Sequence, residues 1–226
     1  MKPSTRKIVT RSPSRTVRII NLNGILDGPV EAESSLEADY VLQSAFGPVK
    51  KKIIHQPFKL PVSPKGYTPD FLEEIEGVDM KAVVEVKLEK KVAKYADLFD
   101  RAAEYLLPRN YRFFVLTEKH LRKDGIEERV RLLRRYAKAV FPSDSKQRVL
   151  DTLSAYPRGL AIGSLMRKAK VSRELVIHLI ARKQLFSGPG LQLSESAVVI
   201  FPRLATMDAA VTLETWFGVT PWGKVL

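Results

Sequence analysis

Apolar and polar positions alternate most cleanly between Lys81 and Leu88. Ala82, Val84, Val86 and Leu88 fall on one side, and Val83, Glu85 and Lys87 on the other, which is the period of a strand. Lys51–Gln56, Gly66–Ile75 and Arg112–Leu116 also read as strands, with Pro57–Lys65 as a proline-punctuated crossing. Val17–Ile20 reads as a short edge strand or as part of an N-terminal arm. Helical spacing takes over in three places. From Ser35 to Phe46, Leu36, Tyr40, Val41 and Ser44 share a face, Ser34 or Ser35 is a suitable N-cap, and Gly47-Pro48 stops the run. Residues 92–107 form a second helix ending before Pro108. Residues 126–140 form a basic third, with Ile126, Val130, Leu133 and Tyr136 on one apolar face. Helix, three strands, helix and strand predict an α/β body with a mixed sheet flanked by helices.

The pattern changes near Phe141-Pro142-Ser143. Ser145–Ser154, Ile162–Ala169 and Ser172–Lys183 read as three short helices. Phe186, a Gly188-Pro189-Gly190 turn, Leu191–Leu193 and Val198–Phe201 then suggest a small hairpin. Three helices and a hairpin are the winged-helix pattern. The expected organisation is a basic arm over 1–18, an α/β domain over 19–143, a winged-helix domain over 144–201 and an apolar tail over 202–226. That tail carries Trp216, Phe217 and Trp222. In a monomer such residues are core, but the composition also suits a partner-docking segment, which is the reading preferred here.

Charge is distributed unevenly along the 226 residues, whose formal net charge is +13. Residues 1–18 hold six basic residues (Lys2, Arg6, Lys7, Arg11, Arg15 and Arg18) and no acid. Residues 145–226 hold eleven basic and five acidic residues, while 19–144 hold twenty-one and twenty. Basic flanks around a neutral body suit a polyanion such as double-stranded DNA. A basic, acid-free start is also the composition of an organellar transit peptide, but it lacks an amphipathic helical pattern. The chain has no cysteine, which excludes a disulfide framework and thiolate zinc sites and fits a reducing cytoplasm. No apolar run reaches membrane-spanning length, so no membrane association is expected.

Four residues carry candidate chemistry: Glu37 on the first helix, Asp70 in Thr68-Pro69-Asp70-Phe71, and Glu85 and Lys87 in Glu85-Val86-Lys87. Strand alternation puts Glu85 and Lys87 on one side, and an antiparallel neighbour would bring Asp70 opposite Glu85. Two adjacent carboxylates repel unless a cation joins them. Mg2+, with Mn2+ as a substitute, is the natural ion, and the Val86 carbonyl is a candidate further ligand. Such an ion can activate a water and neutralise a scissile phosphate. Lys87 would orient or deprotonate that water, or stabilise developing charge. Taken singly, each residue has a plainer reading. Glu-x-Lys on a strand is usually a solvated face, Thr-Pro-Asp a turn, and Glu37 a capping-box residue three after Ser34. Their order along the chain and the apolar company of Glu85 and Lys87 favour the joint reading, because an unpaired buried charge is costly.

Glu37, Pro69-Asp70 and Glu85-Val86-Lys87 resemble the PD-(D/E)xK nuclease core, with its restriction-endonuclease-like fold. Within that superfamily several segments resemble the TnsA endonuclease subunit of heteromeric transposons. They are Ser34-Ser35-Leu36-Glu37 with Tyr40, His55-Gln56-Pro57-Phe58 and Tyr67-Thr68-Pro69-Asp70-Phe71. The resemblance covers about residues 10–125. It implies a metal-dependent endonuclease that cuts the non-transferred strand at transposon ends. It also implies an RNase H-like transposase partner, an AAA+ ATPase regulator and a C-terminal winged helix. Some members carry Gln where this chain has Glu85, and Glu31 and Glu33 compete with Glu37 for the helix position.

In the C-terminal part, Ser172 would cap a helix carrying Arg173, His178, Arg182 and Lys183, at the place of a recognition helix. Arg173, Arg182 and Lys183 are candidate DNA contacts, as are Arg6, Lys7, Arg11, Arg15 and Arg18; protein docking suits the same helix equally. His55, His120 and His178 have no metal-binding spacing. Two other readings remain: a restriction-type or junction-resolving nuclease, and a non-enzymatic winged-helix regulator. If the N-terminal arm contacts DNA, deleting residues 1–18 should flatten the log-affinity against log-salt plot by several phosphate contacts. An unchanged slope would show that it does not.

Overall fold

The computed structural model describes residues 2–3, 17–47, 51–75, 79–202 and 213–223. Its contacts divide the chain into two compact units. One comprises Met1–Ala45, Lys50–Lys123 and Phe217–Leu226, the other Phe46–Val49 and Asp124–Trp216. The chain is mixed α/β, and no helix among the described residues is long and apolar enough to cross a membrane.

The first unit is built on a four-stranded mixed sheet. Short strands β1 (Lys2–Pro3), β2 (Arg18–Ile20) and β3 (Val30–Ala32) precede helix α1 (Ser35–Ala45). Strands β4 (Lys51–His55), β5 (Phe58–Lys59), β6 (Phe71–Ile75) and β7 (Lys81–Val86) follow. Helix α2 (Glu89–Val92) leads through a 3-10 turn into α3 (Ala96–Leu106), then come β8 (Tyr111–Leu116) and α4 (Glu118–Leu121). The sheet order is β4-β6-β7-β8, with β7 and β8 parallel and the other neighbours antiparallel. A parallel pair needs a crossover, and α3 supplies it.

The two sheet faces have different partners because the side-chain period is two. Leu72, Val83, Phe113 and Val115 join Phe99, Ala102 and Leu106 of α3 in one core. Phe71 turns to the opposite side, where its ring meets Tyr40 of α1 with centroids 5.1 Å apart. Helix α1 starts at Ser34, whose Oγ accepts from the Glu37 amide at 3.1 Å. It is held by Leu36, Tyr40, Val41 and Ser44, all buried as the spacing predicts.

Several boundaries differ from the sequence reading. The strand expected over 66–75 is ordered as β6 only from Phe71. Tyr67 instead forms an isolated bridge with Leu60, so the segment reaches the sheet through a short turn at Gly66. Strand β7 ends at Val86, and Leu88 is exposed rather than part of the apolar face. Arg18 belongs to β2, paired with Ala32 of β3, and not to a free arm. Lys2 and Pro3 pair with Lys59 and Phe58. Arg6, Lys7, Arg11 and Arg15 lie outside the described residues.

The second unit contains α5 (Ile126–Tyr136), α6 (Ser143–Ser154), β9 (Leu160–Ala161), α7 (Ile162–Ala169), α8 (Arg173–Ala181) and β10 (Val198–Val199). Helix α5 belongs here, and not to the sheet domain expected to run to 143. Its apolar residues Ile126, Val130 and Leu133 are buried and it packs on α8. The expected hairpin is also rearranged. β10 pairs with β9, and Ile200 bridges Phe186, while Leu191–Leu193 form no strand.

The tail packs within the chain. Phe217 is buried against Tyr40, with centroids 5.6 Å apart. Trp222 meets Phe99 edge-on, its amide donates to the Phe113 carbonyl at 2.7 Å, and its indole Nε1 donates to Asp100 at 2.8 Å. These anchors, expected to dock a partner, are occupied by this unit's own core. In the second unit Trp216 packs on Phe186. Replacing Phe217 by Ala should therefore cost about 3–5 kcal/mol of stability, read by denaturant titration. A segment held only for a partner would leave the midpoint unchanged.

Candidate active site

The register of β6 and β7 builds the site. Phe71 pairs with Val84 and Leu72 with Val83. Continuing that ladder by one step sets Asp70 opposite Glu85, at the β6 end where Pro69 and a bend lead in. Asp70 Oδ2 accepts from the Val86 amide at 2.8 Å, and the Asp70 carbonyl accepts from the Gln56 amide at 2.8 Å. Val86 thus meets Asp70 through its N–H.

Glu85 is 2% exposed. Its Oε1 lies 2.5 Å from Lys87 Nζ and its Oε2 accepts from the Tyr67 hydroxyl at 2.6 Å. Lys87 also stands over the Tyr95 ring, 5.4 Å from its centroid. The pleat therefore places Glu85 and Lys87 together as expected. Burial acts to lower the Lys87 pKa, but the charges of Glu85 and Asp70 and the Glu85 hydrogen bond outweigh it, so the net shift is upward. Lys87 is protonated here, which favours a role as a fixed cation over one as a base. Tyr67, which the sequence reading gave no role, is pushed well above the ordinary tyrosine range by burial and then by Glu85. It stays a donor.

Glu37 approaches from α1. Its Oε2 accepts from the Glu33 amide at 2.7 Å, so it does serve the helix start. It also faces the sheet carboxylates. Burial raises the Asp70 pKa well above its usual range, and the charges of Glu85 and then Glu37 add to this; the Val86 amide and Lys87 oppose it. Burial likewise raises Glu37, against the Glu33 amide and Ser34. Glu37, rather than Glu31 or Glu33, is the α1-end carboxylate that Asp70 senses. Glu33 instead accepts from Gln56 Nε2 at 3.2 Å. His55 Nε2 stands 4.0 Å from Glu37 Oε2. Burial lowers the His55 pKa to about 4, against the pull of Glu33, so it is neutral near pH 7.

A fourth carboxylate was not anticipated. Glu73 is fully buried on the α1 side of β6. It accepts from the Tyr40 hydroxyl at 2.7 Å and from Ser44 Oγ. Tyr40 and Ser44 are one helical turn apart on the inward face of α1, which is the sequence signal that matches Glu73.

The donor set suits a hard dication. Asp70 and Glu85 are oxygen donors whose mutual repulsion a cation would relieve. Among the described residues no group of three or more His, Asp or Glu could hold a metal ion.

The candidate DNA contacts on α8 fare differently. Leu175–Ala181 are all buried, with α5, α6 and α7 packed on the helix. Only its ends are open. Arg173 is exposed and donates to the Leu193 carbonyl at 2.8 Å; Arg182 is exposed beyond the C-terminus, and Lys183 is half-buried. His178 is buried, with Nδ1 2.8 Å from the Tyr136 carbonyl. The basic run does not form a continuous exposed face, because the apolar residues between its ends take every side of a short helix.

Comparison with protein-family models and with curated proteins returned no match.

Asp70 holds its proton more tightly in the folded chain than in the unfolded one. Metal-free stability should then fall as pH rises from the ordinary carboxyl range through the raised value. Asp70→Asn keeps an acceptor for the Val86 amide and cannot ionise. In chelator at neutral pH it should raise the thermal midpoint, by about 2–4 °C per kcal/mol relieved. A lower midpoint would show that the Asp70 charge is stabilising.

Proposed function

We propose that this chain is a divalent-metal-dependent DNA endonuclease of the PD-(D/E)xK class, acting as the nuclease subunit of a TnsA-type transposase. The observation that carries the reading is the pair Asp70, at the entry to β6, and Glu85 on β7, with Lys87 on Glu85 and the Glu37 charge raising Asp70 further. The order helix, strand, strand and the sheet order support a restriction-endonuclease-like core. The succession α6, β9, α7, α8, Phe186 and β10, with β9 and Phe186 both tied to the β10 segment, supports a winged helix in the second unit.

In this reading Asp70 and Glu85 would hold Mg2+ or Mn2+, and the bound ion would supply an activated water and charge neutralisation at the scissile phosphate. Tyr67 fixes the Glu85 rotamer through its 2.6 Å hydrogen bond. Val86 fixes Asp70. Lys87, held protonated, donates to negative charge developing on the phosphate. Glu37 adds a carboxylate at the edge of the site. Double-stranded DNA at transposon ends is the substrate, with an RNase H-like transposase and an AAA+ ATPase as partners.

The test is a reconstituted transposition reaction read by long-read sequencing of insertion products. Asp70→Ala or Lys87→Ala should leave the partner's strand transfer intact and the second strand uncut. Replication across the joined intermediate then yields cointegrates where wild type yields simple insertions. Simple insertions at wild-type frequency from both variants would overturn the reading.

A further inference from the structure

Helix α5 carries an exposed cationic face that the proposed nuclease site does not use. Arg131, Arg134, Arg135 and Lys138 are all exposed. At 100° per residue Arg131, Arg134 and Arg135 fall within a sector of about 100°, away from the buried Ile126, Val130 and Leu133, and Lys138 follows in the turn just past the helix end. Among the described residues none of the four has a carboxylate within ion-pair range. Four cations of the sheet unit do meet carboxylates: Lys52 and Lys81 meet Glu74, Lys119 meets Glu89, and Arg122 meets Asp39.

A face meant only for solvation would mix signs. The first turn of α5 does so, with Glu127 and Glu128 ahead of the basic run. The last two turns hold no acid. They set like charges at the i, i+3 and i, i+4 spacings, between Arg131 and Arg134 and between Arg131 and Arg135. Each such pair costs a helix about 0.2–0.5 kcal/mol. The helix dipole rewards positive charge only within the last turn, so it does not account for Arg131. Three of the four residues are arginine, whose planar fork matches phosphate.

We propose that this face of α5 binds the phosphate backbone of duplex DNA. The inference rests on the nuclease reading for its choice of polyanion. Arg131 to Arg135 spans about 6 Å at 1.5 Å per residue, about two phosphates at 3.4 Å of axis per strand charge, and Lys138 just past the helix end adds a further cation. A membrane surface is a poorer fit, since the apolar stripe of α5 is buried within its own unit and cannot enter lipid. The buried middle of α8 leaves α5 as the longer basic face in this unit.

The experiment uses the full chain with all four residues changed to Gln, and fluorescence anisotropy on a labelled duplex across a salt series. Circular dichroism should show an unchanged fold, since all four side chains are exposed. The log-affinity against log-salt slope should become shallower by about 3. An unchanged slope in the four-site variant overturns the proposal and leaves the nuclease reading standing. A shallower slope with a wild-type chain that cuts no DNA keeps the α5 surface and removes the nuclease reading. Polyglutamate that displaces the duplex as well as unlabelled duplex does would also overturn it, by showing a surface for acidic protein.

Discussion

Repulsion between Asp70 and Glu85 is the constraint around which the first unit is arranged. The antiparallel register that pairs Phe71 with Val84 brings the two carboxylates together at the end of β6. Burying like charges in this way is unfavourable, and the surrounding groups offset it in part. Lys87 neutralises Glu85, Tyr67 donates to it, and the Val86 amide donates to Asp70. What is left over appears as the raised proton affinity of Asp70. A fold that maintains such a cluster at a cost in stability has the signature of a functional site.

Both faces of the same strand pair carry buried acids, and their treatment differs. Glu73 turns to α1, where the hydroxyls of Tyr40 and Ser44 satisfy it. It ties helix to sheet. Asp70 and Glu85 turn to the other side, among neighbouring carboxylates and one lysine. Hydroxyl donors make a structural carboxylate, while a crowd of carboxylates makes one that answers to cations. The distinction rests on partners alone, since Glu73 and Glu85 are both buried.

The two units differ in where they leave charge. The sheet unit gathers Asp70 and Glu85 at one end of β6 and β7, with Glu37 near enough for Asp70 to sense its charge. The helical unit leaves positive charge exposed on α5 while its interior, including most of α8, is apolar. Under the proposed nuclease reading, the acidic cluster is where a phosphate would be cut and the exposed arginines of α5 are where a backbone would be held.

Much of this was legible in the residues. Period-two alternation located β7 and paired Glu85 with Lys87. Helical spacing and a serine cap located α1, and Pro69-Asp70 marked the entry to β6. These are local regularities, and local geometry determines them. What depended on distant contacts was not legible. Tyr67 reaches Glu85 across a turn, and Glu73 is satisfied from a helix twenty-nine and thirty-three residues away in sequence. The tail aromatics read equally as core or as docking anchors until Phe217 and Trp222 were seen against Tyr40 and Phe99. Helix α8 looked like a basic recognition helix because its charged ends can be read from composition. Its burial is set by three other helices, and no single segment encodes that. The sequence by itself determined the elements and the acidic and basic residue types. The tertiary structure decided which of those charges meet and which are left open, because that depends on packing between segments far apart in the chain.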